Sequence, residues 1–217
     1  MGIRPELFFE SLPFLLKGAV TTIYVSILVL ILGLTIGLFI GMGRLSKVRP
    51  VRWGATAYIE FIRGTPVYVQ ILILAFGLPS IGITLPALVA GVLAMGINSG
   101  AYVAEIVRAG IQSIERGQME AARSLGMTYV QAMRFIILPQ AFRRILPPLG
   151  NEFVVLIKDS SLVSVIGISE LMMNASLVAA RTYQYFTMYL GAALIYFVLT
   201  FAASNLVSYI ERRLAVE

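Results

Sequence analysis

Three charged side chains interrupt an apolar stretch at residues 146–168, where they could bind a polar solute. Glu152 and Asp159 are seven residues apart, which is two helical turns, so their side chains face nearly the same way. Lys158 can neutralise at most one of these carboxylates by local pairing. The remaining negative charge favours a path for a cationic solute. In a second interpretation, Lys158 and Asp159 only anchor a loop at the outer end of the stretch.

Two uncharged polar side chains are candidates for the same path. Asn98 lies in the middle of another apolar stretch, residues 85–107, among small neighbours that leave room for a ligand. The alternative role of Asn98 is a hydrogen bond between helices. Tyr102 offers an aromatic surface that can bind a cation, although aromatic residues in such spans more often serve only in packing.

Two acid–base pairs lie near the ends of apolar stretches. Glu60 and Arg63 are three residues apart, as are Glu105 and Arg108, so each pair can occupy one helical face. This position favours salt bridges at the membrane interface over a role in gating.

The composition indicates a membrane protein. Hydrophobic residues make up 59% and charged residues 13% of 217 residues, against about 45–50% and 25% in soluble domains. The length fits one domain, residues 1–217. The absence of Cys and His excludes thiol chemistry, most zinc sites and the commonest general base. The net charge of +6 comes from the loops, so nucleic acid is not expected as a partner.

Five apolar stretches are long enough to cross the membrane, which takes about 20 residues each. The sequence therefore predicts an all-α membrane protein with five transmembrane helices, at residues 18–43, 53–76, 85–107, 146–168 and 188–209. Residues 5–16 are predicted to form a separate short helix in the outer interface. In the first span, Gly33, Gly37 and Gly41 predict close approach of another helix. Met172 and Met173, after Glu170, are interpreted as outer-loop residues with no site.

The distribution of basic residues predicts the orientation. Twelve Lys and Arg residues follow spans one, three and five: Arg44, Lys47, Arg49, Arg52, Arg108, Arg116, Arg123, Arg134, Arg143, Arg144, Arg212 and Arg213. The other side holds only Arg4, Lys17 and Arg181. By the positive-inside rule, the N-terminus is outside and the C-terminus is cytoplasmic.

The loop at residues 115–139 contains the pattern E-A-A-x3-G-x9-I-x-L-P. The small side chains of Ala121, Ala122 and Ser124 would let a short helix lie close to a partner's backbone, and Leu125 supplies apolar contact. Gly126 is expected to end this helix in a left-handed conformation. A second short helix, residues 128–137, is expected to stop before Pro139.

The loop pattern resembles the cytoplasmic coupling loop of the membrane subunits of ABC importers. Five further segments resemble the polar amino-acid branch of these permeases, the histidine/glutamine/arginine type: residues 58–66, 100–108, 117–118, 138–141 and 158–162. The resemblance implies the type I importer fold, transport by alternating access and a place in the cell membrane of a prokaryote. It also implies that the residues contacting the ATPase are Glu120, Ala121, Ala122, Ser124, Leu125 and Gly126.

The resemblance further implies the partners. They are two cytoplasmic ATPase subunits, a second permease subunit and an extracytoplasmic amino-acid-binding protein. This chain would bind no cofactor and catalyse no reaction, because ATP and Mg²⁺ would bind to the ATPase; the sequence has no G-x-x-x-x-G-K-[ST] motif.

The substrate remains open between two classes. The net negative polar set favours arginine, lysine or histidine, whereas the motifs resemble those of glutamine and glutamate systems too. A second copy of the chain and a related chain are both possible permease partners. An ATP-independent solute channel would explain the spans but not the loop pattern, and an intramembrane enzyme would lack a nucleophile with its base.

Overall fold

The computed structural model describes residues 4–215, which contain no β-strand. Nine α-helices follow one another in this part of the chain: α1 Pro5–Arg44, α2 Arg49–Arg63, α3 Val67–Leu72, α4 Ala87–Gln112, α5 Arg116–Ser124, α6 Tyr129–Ala132, α7 Leu138–Asp159, α8 Leu171–Thr182 and α9 Tyr185–Ala215. Two π-helical turns, Ile73–Gly77 and Met133–Ile137, and two 3₁₀ segments, Leu78–Ile81 and Ser160–Ile166, complete the helical structure.

The pair α1 and α4 forms the centre of the fold, and glycines on both helices permit its close packing. A Cβ atom added at Gly33 of α1 would lie 2.8 Å from Ser99 Oγ of α4, and one at Gly37 would overlap Val103. In the opposite direction, Gly96 and Gly100 of α4 receive the side chains of Leu32 and Ile36. The prediction of close approach along the glycines of the first span is confirmed.

The N-terminal segment is continuous with the first span, so the separate interfacial helix predicted for residues 5–16 is wrong. Helix α1 has 40 residues and contains Pro13 without ending there. Leu15 and Ala19 are buried against α8 and α9, and Phe8 and Leu12 pack at the edge of the same cluster. This packing of an apolar face keeps the helix intact across the proline.

The predicted span at residues 53–76 is not one straight helix. Helix α2 ends at Arg63, and the helices before and after the break meet at a bend of 98°. Pro66 causes the break, because it has no N–H and disfavours a helical conformation for Thr65. Gln70 bridges the gap, since its Nε2 donates to the Ile62 carbonyl at 2.9 Å and to Thr65 Oγ1 at 2.8 Å.

The second short helix of the coupling loop, predicted at residues 128–137, does not stop before Pro139. Residues 129–166 form one helical run that includes a π-turn, in which the Leu138 N–H donates to the Met133 carbonyl. The altered hydrogen-bond register accommodates a proline, which has no N–H to contribute. Helix α7 therefore begins at Leu138, before the predicted start of the fourth span at residue 146, and it also contains Pro147 and Pro148.

Within residues 4–215, three helices are individually long and apolar enough to cross a membrane: α1, α4 and α9. Two bent helix pairs raise the number to five if each pair is one span. Helices α4 and α9 agree with the spans predicted at residues 85–107 and 188–209 to within a few residues. The structure thus supports three to five spans.

The residues interpreted as an outer loop belong to a helix that the sequence analysis missed. Glu170 precedes α8 and is 0% exposed. Its carboxylate accepts hydrogen bonds from the Met172 and Met173 backbone N–H groups at 2.9 and 2.7 Å, and from the Tyr196 hydroxyl of α9 at 2.6 Å. Thr22 of α1 donates a longer hydrogen bond of 3.4 Å. Glu170 therefore joins α1, α8 and α9.

Candidate functional site

The coupling segment, residues 115–139, contains a capped helix that presents an exposed end. Helix α5 ends in the predicted left-handed glycine, with φ of 84° at Gly126. The Gly126 N–H donates to the Arg123 carbonyl and the Met127 N–H to the Ala122 carbonyl, which is the Schellman arrangement. A Cβ at Gly126 would meet nothing within 4 Å. The left-handed φ, and not lack of space, is therefore what requires glycine.

Five of the six predicted coupling residues are exposed: Glu120, Ala121, Ser124, Leu125 and Gly126. Leu125 is the extreme case, with an exposed fraction of 83%. Ala122 is buried, so its small side chain permits packing of α5 within this chain and leaves the exposed surface to the others. Val130 of α6, which is 73% exposed, was missed by the sequence analysis and is a second exposed apolar side chain in the coupling segment.

A cavity of about 590 Å³ opens between the bend after α2, the middle of α4 and the second half of α7. Its lining includes four of the five residues predicted for the substrate path: Asn98, Tyr102, Glu152 and Asp159. Lys158, the fifth, is exposed and does not line the cavity. Asp159 and Lys158 are consecutive on α7, so their side chains diverge. We name this space the polar cavity.

Hydrogen bonds fix two of the polar side chains around this cavity. The Ser99 hydroxyl of α4 donates to Glu152 Oε1 of α7 at 2.8 Å. The Asn98 amide donates to Gln70 Oε1 at 3.2 Å, which links α4 to the segment after the bend. The interhelical hydrogen bond considered for Asn98 is therefore present, and Asn98 also lines the cavity. Sequence analysis missed Ser99 and Gln70 because nothing in their local sequence separates them from other small or polar residues in spans.

The two predicted salt bridges have different outcomes. Glu105 accepts from Arg108 at 2.8 Å and also pairs with Arg44 of α1 at 2.9 Å. Glu60 and Arg63 form no ion pair in the described structure. The Arg63 guanidinium instead lies 5.0 Å from the centre of the Tyr102 ring, in a cation–π arrangement. The salt bridge predicted for Arg63 is wrong, because α2 packs against α4 and the Arg63 guanidinium at its end lies beside the Tyr102 ring.

A second cavity, of about 610 Å³, lies nearer to the coupling segment. It is lined by residues at the C-terminal end of α4, including Glu105 and Arg108, and by residues in the first half and the middle of α7, including Arg144 and Asn151. The Arg144 side chain donates to the Ser113 carbonyl at 2.6 Å and joins the two helices there. We name this space the inner cavity.

The family comparison agrees with this arrangement. A protein-family model described as "Binding-protein-dependent transport system inner membrane component" matches residues 8–216. The chain belongs to this family. Its members are transport components of the inner membrane, whose ATPase is a separate subunit and whose substrate arrives from a binding protein. Membership accounts for the apolar helices and the all-helical type I importer fold.

Individual relatives of this inner membrane component cover almost its full length. It is 42% identical over 209 residues to the probable glutamine ABC transporter permease protein GlnM of Bacillus subtilis, covering 96% of this chain and 97% of GlnM. It is 40% identical over 205 residues to the arginine transport system permease protein ArtQ of the same organism, covering 94% of each chain. A crystal structure of an amino acid ABC transporter with histidines aligns with a TM-score of 0.94 and 47% identity, covering 98% of this chain and 100% of that chain.

Proposed function

We propose that this chain is the permease subunit of an ATP-driven importer for polar amino acids, with basic amino acids as the preferred substrates. The amino-acid class rests on the relatives, whose names refer to amino-acid transport. The preference for basic substrates rests on a different observation, which is the placement of charge around the polar cavity.

The charges that line the polar cavity are Arg63, Glu152 and Asp159, which sum to one negative charge when all are ionised. Lys158 lies outside the lining, and neither carboxylate forms a salt bridge in the described part of the chain. A basic amino acid carries one net positive charge and would balance this set. Glutamine has none, and relatives named for glutamine and arginine are similarly identical to this chain. Glutamine or glutamate therefore remains the second candidate substrate class.

In the proposed mechanism, closure of two cytoplasmic ATPase subunits pushes on α5, and the spans then expose the polar cavity to alternate sides of the membrane. A second permease subunit, either identical or related, would complete the translocation path. ATP and Mg²⁺ would bind to the ATPase subunits, and this chain would contribute no cofactor site. Uptake that continued without ATP would instead favour a solute channel.

Glu152→Gln tests the preference for basic substrates. The substitution keeps the shape and the hydrogen bond from Ser99 but removes the charge, and hydrogen bonds to charged groups contribute roughly 1.5–3 kcal/mol. We expect arginine uptake to fall about tenfold or more, since about 1.4 kcal/mol is a factor of ten, while glutamine uptake changes much less. Uptake by the complete complex in proteoliposomes, with each amino acid in turn, gives the measurement.

Lys158→Gln is the matched control, because it changes a neighbouring charge that does not line the polar cavity. It should leave the ratio of arginine to glutamine uptake close to that of the natural chain. Equal losses for both substrates in Glu152→Gln would indicate a structural role for Glu152. No loss for either would remove Glu152 from the path.

The proposed orientation places the N-terminus outside and the C-terminus in the cytoplasm. A reporter that is active only in the cytoplasm should therefore work when fused to the C-terminus and fail when fused to the N-terminus. The reason is the concentration of Lys and Arg near the coupling segment and the C-terminus. Activity from the N-terminal fusion alone would overturn the orientation.

A further inference from the structure

The polar cavity and the inner cavity share a single layer of side chains. Arg63, Tyr102 and Glu152 line both the polar cavity and the inner cavity. Along α4, the residues before Tyr102 line the polar cavity and the residues after it line the inner cavity. Along α7 the order is reversed around Glu152, as the antiparallel course of the two helices requires. The shared layer therefore divides the path at one level.

The cation–π pair of Arg63 and Tyr102 occupies this layer. Arg63 comes from the end of α2 and Tyr102 from the middle of α4, so the pair connects two helices across the boundary between the cavities. Its energy is small, of the kind that a modest movement can break and re-form. A strong, buried salt bridge would be a poorer choice for a contact that must open in each transport cycle.

The backbone next to Arg63 can supply such a movement. The bend of 98° follows directly, at Gly64, Thr65 and Pro66, and the Gln70 side chain holds it by hydrogen bonds to Ile62 and Thr65. Gln70 also accepts from Asn98, which lines the polar cavity. A ligand that competes for Asn98 would therefore disturb the hydrogen-bonded bend that directly follows Arg63.

We propose that Arg63 and Tyr102 form the inner gate of the substrate path, closing the polar cavity towards the coupling segment and opening when α2 moves at the bend. This inference rests on the proposed function, because that function makes the polar cavity part of a substrate path. The closure itself can be measured without any substrate. Arg63 would be the moving element and Tyr102 its docking surface. Neither residue reacts chemically.

The chain has no cysteine, so single cysteines can report on access to each cavity. Val155 lines only the polar cavity and Ala109 only the inner cavity. Each would be replaced by cysteine, separately, in the full complex with its ATPase subunits in inside-out vesicles. The probe is a membrane-impermeant maleimide added from the cytoplasmic side. We expect Ala109→Cys to react quickly and Val155→Cys slowly when the rest of the chain is unchanged.

Opening of the gate is then tested by changing one partner at a time. Tyr102→Leu removes the ring, and Arg63→Gln removes the cation. Each should raise the labelling rate of Val155→Cys about fivefold or more, which corresponds to about 1 kcal/mol of lost closure. Tyr102→Phe keeps the ring face, so Val155→Cys should be labelled at the unchanged rate in this variant. In Arg63→Lys the labelling rate should lie between the unchanged rate and the rate in Arg63→Gln. The rate at Ala109→Cys should stay constant and serves as the check that the complex is intact.

Two results would overturn the gate. One is rapid labelling of Val155→Cys in the chain that is otherwise unchanged. The other is the same rate in Tyr102→Leu, Arg63→Gln and Tyr102→Phe, with Ala109→Cys still reactive. If one variant does not assemble, the other partner's variant answers the same question. Failure of the proposed function would look different, since it would appear as no ATP-dependent amino-acid uptake while the labelling pattern was retained.

Discussion

Replacing Gly126 with valine is expected to lower ATP-dependent uptake at least about tenfold while the subunit still inserts and assembles. Gly126 has φ of 84°, and a left-handed conformation costs an ordinary residue about 1–2 kcal/mol, with β-branched residues the least suited. The Schellman hydrogen bonds at the end of α5 would be lost, and the exposed end around Leu125 would move. Uptake and ATP hydrolysis by the reconstituted complex, measured on the same preparation, would show the uncoupling.

Two matched variants separate strain from coupling. Gly126→Asn should retain most of the uptake, because asparagine tolerates the left-handed conformation better than other residues. Gly82→Val imposes similar strain at φ of 85°, also with no atom near the added Cβ, but in the loop before α4. It should leave the ratio of uptake to ATP hydrolysis unchanged. Full coupling in Gly126→Val would show that this helix end does not transmit the movement.

Replacing Glu170 with alanine is expected to destabilise the subunit by about 3 kcal/mol or more. The change leaves the Met172 and Met173 N–H groups and the Tyr196 hydroxyl without their acceptor in the interior, and hydrogen bonds to a charged group contribute roughly 1.5–3 kcal/mol each. At about 2–4 °C per kcal/mol for a chain of this size, the apparent unfolding temperature should fall by about 6–12 °C. Fluorescence of the single Trp53 in detergent provides the measurement.

Tyr196→Phe is the matched control for this prediction, since it removes only one of the hydrogen bonds to Glu170. We expect the unfolding temperature of Tyr196→Phe to fall by about a third, or less, of the decrease in Glu170→Ala. Glu170→Gln, which keeps a carbonyl acceptor, should lie between the two. Unfolding temperatures within a degree of the natural chain for Glu170→Ala would mean that the capped end of α8 contributes little to stability.

The sequence predicted the parts of the fold that depend on local patterns. Long apolar runs identify α4 and α9, the glycines of α1 predict its tight packing, and Gly126 predicts the helix end by its backbone freedom alone. Seven-residue spacing was sufficient to bring Glu152 and Asp159 to the same cavity. Each of these properties belongs to a single helix or turn, so no knowledge of the neighbours is needed.

The parts that the sequence did not predict depend on contacts between distant segments. Glu170 reads as a loop residue until Thr22 and Tyr196 are placed beside it, and α8 was missed for this reason. Arg63 has an obvious partner three residues earlier, but the packing of α2 against α4 places it beside Tyr102 instead. The position of Lys158 also depends on distant contacts. Adjacent residues on a helix point in different directions, so only the packing of α7 decides whether Lys158 or Asp159 lines the cavity.

The reciprocal glycine packing of α1 and α4 has a mechanical consequence. Side chains of each helix pack against glycines of the other at four or more levels. Neither helix can therefore slide or rotate without breaking all of these contacts. We therefore expect the two helices to move as one rigid body. Helix α4 ends next to the coupling segment, whereas α1 extends about 60 Å in total and packs with α8 and α9 at its far end. We therefore expect a movement applied at α5 to tilt the two helices together.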